Sequence, residues 1–204
     1  MTAKTSLKFE GKIILFATNN VNKYMEARKV LTNYGITVGM LRAKSLEIQS
    51  DSLEEIAEKS AQDVFRKCKL PIIVEDAGLF IEALNGFPGP YAAYVYKTIG
   101  NEGLLRTMKN VKKRNAKFKS VIAYCSAMHE STICFEGEVE GEITIGIRKK
   151  SEASFGFDPI FKPQNSDKTF AEMAIDEKNK FSHRAMALGR FAEWYSRFSQ
   201  PDDQ

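Results

Sequence analysis

Two periods organise the apolar residues of this chain. KIILFA at Lys12–Ala17 and the β-branched run after Pro71, IIVED, are short and nearly uninterrupted, as buried strands are. Helical spacing predicts a helix over Asn22–Asn33, with Met25, Val30, Leu31 and Tyr34 near one face and Gly35 as a stop. A second helix is predicted from Ser52. Ser52-x-x-Glu55 forms a capping-box pattern, and Leu53, Ile56, Ala57, Val64 and Phe65 make the apolar stripe. Residues 36–50 are ambiguous and have room for a short strand; GFPGPY (Gly86–Tyr91) reads as a turn-rich loop and 101–110 as a helix. Residues 117–128 and 131–146 predict two strands joined near His129-Glu130 as an antiparallel hairpin, and a tight turn there sets Cys125 opposite Cys134. FGFDPIF is a further turn-bearing segment. A last helix opens near Ser182 and carries Leu188, Phe191, Ala192, Trp194, Tyr195 and Phe198, leaving a polar tail from Gln200. Helices interleave with strands, so the expected class is α/β, with a mixed sheet because the hairpin is antiparallel.

Composition narrows the class without naming a function. With 204 residues, 43% hydrophobic and 27% charged, the chain reads as an ordinary soluble globular protein of one sizeable domain or two tight lobes. No apolar run approaches the roughly 20 residues of a membrane span. The opening MTAKTSLKFEGK has no apolar signal region, so the expected location is the cytoplasm. Cys68, Cys125 and Cys134 are too few and too scattered for a disulfide framework or a zinc site. The net charge of +4 suits an anionic ligand but identifies none.

Several segments can carry chemistry. The first strand runs into Thr18, Asn19, Asn20, Val21, Asn22 and Lys23, and a helix follows at once. A helix start offers unpaired N–H groups, small polar residues let them approach a phosphate, and a lysine adds a full charge. The plain alternative is a strand-to-helix turn with a surface lysine. Glu75 and Asp76 close an apolar strand, where α/β ligands usually bind, and only one of two strand neighbours can face a given side. Glu47 alone reads as a solvated loop acid. Together with Asp76 it could supply the one or two carboxylates that Mg2+ takes beside phosphates and water. Phe155, Gly156, Phe157 and Asp158 place aromatics around a glycine, suited either to stacking on a planar base or to the core. Lys178 precedes Ser182-His183-Arg184 at a helix start, where His183 and Arg184 can donate to an acceptor-rich ligand; the alternative is a surface helix capped by Ser182. The basic run Lys109–Lys117 has no interleaved aromatic and reads as a solvated loop.

The order of these blocks is more specific than any one of them. Thr-x-Asn-x-x-Lys, EIQ, VEDAGL, LNGFPGPY, FGFDPIF, FAEM and EKNKFSHR, spread from about Lys12 to Phe198, resemble the inosine triphosphate pyrophosphatase (Ham1-like) family. That resemblance implies an elongated α/β fold with a long mixed sheet and a cleft between two lobes of one domain. It also implies a homodimer, a need for Mg2+, and hydrolysis of ITP, dITP or XTP to the monophosphate and pyrophosphate. By the same resemblance, residues 18–23 would bind triphosphate, Glu47 and Asp76 would hold the metal, and Asp76 would accept the proton. Position 77, Phe155–Asp158, Lys178, His183 and Arg184 would contact the nucleotide. Two departures stand out: Ala77 replaces a hydroxyl residue common in the family, and Ser60 stands where some members carry a phosphate-facing lysine, with Lys59 turned about 100° away. Competing readings are a pyrophosphatase for modified pyrimidine nucleotides and a non-catalytic nucleotide or nucleic-acid binder; neither a nucleic-acid nor a membrane partner is expected.

Overall fold

The computed structural model describes residues 12–46, 48–129, 131–148 and 155–198. In chain order it contains β1 (Lys12–Ala17), α1 (Val21–Thr32), β2 (Ile36–Leu41), α2 (Leu53–Cys68), β3 (Ile72–Ile81) and β4 (Pro88–Gly89). These are followed by α3 (Ala92–Thr98), α4 (Gly100–Thr107), β5 (Asn115–Cys125), β6 (Ile133–Ile143), β7 (Phe161–Pro163), α5 (Ile175–Lys178) and α6 (His183–Phe198). The strands form one mixed sheet in the order β2-β1-β3-β5-β6-β7, with β4 on β3. β1 is parallel to β2 and β3, and the remaining pairs are antiparallel. This is the expected mixed α/β class. Among the described residues, no helix is long and apolar enough to cross a membrane.

Burial changes along the sheet, and β5 records the change in its own sequence. Val121 to Cys125 are all buried: α2 covers one face with Leu53, Ala57, Ala61 and Val64, while α1 and α6 cover the other with Ala27, Leu31, Leu188 and Phe191. A strand covered on both faces reads as a continuous apolar run. Nearer its start, β5 alternates Lys117, Phe118, Lys119. There Phe118 packs with Leu79, Ile81, Phe161 and Phe170 against α3 and α4, and the lysines stand on the other face.

Register corrects two expectations. β5 ends at Cys125 and β6 begins at Ile133, a separation too long for a tight turn, so Cys134 lies opposite Ala123 rather than Cys125. β3 continues five residues past Asp76. α3 was not anticipated at all; its seven residues are rich in tyrosine and leave Tyr94 exposed. At the start of α2, half of the capping box forms. Ser52 Oγ accepts from Glu55 N, whereas the Glu55 carboxylate accepts from Ser50 Oγ.

The register also opens a gap that positions the site. β5 pairs with one edge of β3 along its whole length. On the other edge, β1 reaches only Ile73 and β4 resumes only at Leu79. Between them, residues 74–78 pair with neither β1 nor β4, at the carboxyl end of β1, where ligands of open α/β sheets bind.

Candidate active site

The loop entering α1 is built by its own side chains. Thr18 N donates to the Leu41 carbonyl at 3.1 Å, and Thr18 Oγ1 accepts from Asn20 N. Asn20 is the N-cap, accepting from Asn22 N at 3.0 Å and Lys23 N at 3.2 Å. Asn19 Nδ2 donates to the Ala43 carbonyl, and Val21 is half exposed. The turn therefore sets the start of α1 and Lys23 beside Glu75 of β3.

Behind this loop lies a buried network of three carboxylates and three cations. Lys178 Nζ sits 2.7 Å from both Glu26 Oε1 and Asp158 Oδ2. Arg184 reaches the other oxygen of Glu26 through Nη1 and Glu75 Oε1 through Nε at 2.8 Å. Glu75 also accepts from Ser120 Oγ at 2.7 Å, and Lys23 Nζ approaches its second oxygen at 3.3 Å. Glu26, Glu75, Asp158, Lys178 and Arg184 are all buried. Burial alone would raise the pKa of both Glu26 and Glu75. Arg184 outweighs it, aided by Lys178 for Glu26 and by Lys23 for Glu75, and holds both carboxyls below their ordinary value. Asp158 goes the other way: burial raises it, Lys178 offsets only part of the rise, and Glu26 adds to it. Burial, with Arg184 next to it, pushes His183 well below 6.5, so its ring is neutral. That ring lies flat on Phe118, 4.7 Å between centroids and 9° between planes.

The two carboxylates of β3 separate by strand alternation. Glu75 shares the α1–α6 face with Ile73, and its two cations make it a poor proton acceptor. Asp76 falls with Val74 on the α2 side and is half-buried. Ala77, also half-buried, follows on the edge that neither β1 nor β4 covers. Glu47 lies outside the described residues. The stretch leading to it is fastened to α2: Ser60 Oγ donates to the Leu46 carbonyl at 2.9 Å, and Leu46 N donates to Asp63. At position 60, this chain thus uses a buried hydroxyl to tether the segment that leads to Glu47. Lys59 is exposed.

The aromatic turn divides between the two roles weighed for it. Phe157 is buried in the core. Phe155 is half-buried, with Lys178 Nζ 4.6 Å and Arg184 Cζ 5.4 Å from its ring centre. Its amide donates to Asp158 Oδ2 at 3.1 Å. α6 begins within the core rather than at the surface. Ser182 caps it by accepting from Ala185 N, and Gly137 of β6 lets it lie against the sheet, because a Cβ there would collide with the His183 carbonyl. In the basic run Lys109, Lys112 and Lys113 are exposed, as a solvated loop requires. Arg114 donates to the carbonyls of Met108, Val111, Ile143 and Thr144, and Lys117 pairs with Glu138.

Glu26 is the residue that the periodicity reading missed. It lies one turn before Val30 on the buried stripe of α1. An acid on an apolar stripe is the signal that could have found it, because a buried carboxylate requires buried cations.

Known proteins are similar to this chain over most of its length. A dITP/XTP pyrophosphatase of Methanopyrus kandleri is 51% identical over 182 residues, covering 89% of this chain and 95% of the relative. One of Thermococcus kodakarensis is 47% identical, covering 89% and 96%. The solved Ham1 protein of Staphylococcus aureus superposes with a TM-score of 0.78 at 30% identity, over 92% of this chain and all of that one. The Ham1 family model matches residues 14–194, and the chain belongs to the Ham1 family.

Proposed function

We propose that this protein is a nucleoside triphosphate pyrophosphatase. It hydrolyses non-standard purine nucleotides, ITP, dITP and XTP, to the monophosphate and pyrophosphate and so keeps them out of nucleic acid. Relatives named dITP/XTP pyrophosphatase at 41–51% identity support the substrate class. One observation carries the reading: Lys23, at the phosphate-binding entrance, touches Glu75, which Arg184 holds against Glu26 and through it Lys178. Phosphate end and base end are therefore one connected unit.

In this reading the triphosphate lies at residues 18–23, with Lys23 and the positive end of α1 offsetting its charge. The base lies against Phe155, where Lys178, Arg184 and neutral His183 surround a planar, acceptor-rich ring. Asp76 takes the proton of a water that attacks the α-phosphorus. The P–O bond to the β-phosphate breaks, and pyrophosphate leaves with the electron pair. Mg2+ belongs to the proposal. Asp76 and Glu47 would hold it, and bound there it would neutralise phosphate charge. Among the described residues, no group of three or more His, Cys, Asp or Glu could hold a metal, which suits a cation that completes its shell with substrate oxygens and water. A homodimer, on the family resemblance, and a cytoplasmic location, on the sequence reading, complete the proposal.

A pyrophosphate-release assay with ITP, XTP, dITP, ATP and GTP in the presence of Mg2+ tests it. ITP and XTP should exceed ATP in kcat/KM by about 10⁴-fold, the discrimination available to a hydrogen-bonding site. Equal turnover of ATP and ITP would sink the assignment.

A further inference from the structure

The aromatic turn is gripped from a helix that contributes none of the residues assigned above. Asn101, in the first turn of α4, is only 7% exposed, and its Nδ2 donates to the Gly156 carbonyl at 3.2 Å. Among the described residues, its buried Oδ1 finds no hydrogen-bond donor. The amide cannot turn over to relieve this, because two acceptors would then face each other at Gly156. A buried acceptor left unpaired is a net cost to a fold, so stability alone does not account for asparagine here.

What the hydrogen bond holds is a sharp reversal. Gly156 sits at φ +60°, in the left-handed region, and the aromatics on its two sides have different environments. Phe157 is buried and meets the edge of Tyr96 from α3 at 5.5 Å and 84°. Phe155 lies over Lys178 and Arg184. Rotation of the Gly156 peptide would carry Phe155 off that pair while leaving Phe157 packed.

We propose that Asn101 is a positioning residue for base recognition: by fixing the Gly156 peptide it holds Phe155 against the Lys178–Arg184 pair, and so sets the face that Phe155 offers to a purine ring. It touches no substrate atom. The proposal rests on the reading of Phe155–Asp158 as the base-binding turn.

Asn101→Leu and Asn101→Ala separate positioning from stability. Leucine is close in size and removes the buried acceptor together with the bond to Gly156, two opposing effects, so Asn101→Leu should melt close to the wild-type temperature. Both variants should bind IMP about tenfold more weakly by calorimetry and raise KM for ITP similarly, the effect of one lost hydrogen bond. Inorganic triphosphate, which has no base, should bind as to wild type, and kcat should stay within about twofold of wild type. Equal weakening of IMP and inorganic triphosphate, or no change in either, would overturn the proposal. Hydrogen exchange tests the hold on the turn without any nucleotide. The amides of Asp158 and Ile160, which donate to Phe155 and Phe157, should exchange about tenfold faster in both variants. Unchanged exchange would overturn the proposal. Absence of ITP turnover by the wild type would sink the functional reading instead, and exchange at those two amides would then decide the role of Asn101.

Discussion

Lysines and carboxylates meet in two places on this sheet, with opposite physical meaning. On the uncovered face, Lys117 and Lys119 share Glu138 at 3.0 and 2.9 Å, and Lys162 pairs with Glu142 at 2.9 Å. These side chains are about a quarter to a half exposed, and water and salt can replace each partner. On the covered side, Glu26, Glu75, Asp158, Lys178 and Arg184 hold one another at similar distances without that recourse. Similar geometry is therefore weak evidence of strength; burial decides whether a pair can be broken cheaply. A buried cluster is also not the most stable way to fill a core. Its persistence fits a site that must present fixed donors to a polar ring.

The comparison is sharpest at Arg184. Arg184→Met would leave two buried glutamates short of a cation. We expect a loss of about 3–5 kcal/mol in urea unfolding, with ITP turnover abolished; a loss below about 1 kcal/mol would mean that the network is hydrated like the surface ladder. Lys23 lies between the regimes, its side chain 20% exposed against 0% for Glu75. Lys23→Ala should cost about 1 kcal/mol and raise KM for ITP about tenfold with a smaller change in kcat. An unchanged KM would reduce the loop at residues 18–23 to a turn. His183 gives the comparison a pH axis. Its folded pKa is depressed, so only the unfolded chain takes up its proton as pH falls below about 6.5, and stability drops there. Between pH 8 and pH 5, wild type should therefore lose stability relative to His183→Gln. Parallel profiles would show that the imidazole is not held neutral. The smallest effect belongs to the ladder. Lys119→Met leaves Glu138 paired with Lys117 and should shift unfolding by less than about 1 kcal/mol, with turnover unchanged.

Local pattern revealed more of this molecule than long-range register did. β1 is observed over the residues predicted for it, and α1 and α2 lie within a residue or so of their signals. The Lys-Phe-Lys alternation of β5 marks where one face of the sheet becomes open. Met25 and Tyr34 were placed on the buried face of α1 but are exposed, because the stripe runs through Glu26, Ala27, Val30 and Leu31, one residue out of phase with Met25. A search for apolar positions passes over Glu26 for the same reason that makes it informative. Asn101 was invisible in another way: its partner lies 55 residues away, and nothing in an asparagine beside a glycine announces that contact. The pairing of Cys134 with Ala123 likewise depends on the length of a loop, which no periodicity specifies.

Turnover of ITP in heavy-oxygen water, with mass analysis of both products, tests the central claim most directly. Attack at the α-phosphorus, with Asp76 as proton acceptor, predicts that the solvent oxygen appears in IMP and none in pyrophosphate. It also predicts that Asp76→Asn, folded and still binding ITP, makes the same products about 10²–10⁴-fold more slowly. Label in pyrophosphate, release of IDP and orthophosphate, or near-normal turnover by Asp76→Asn would contradict it.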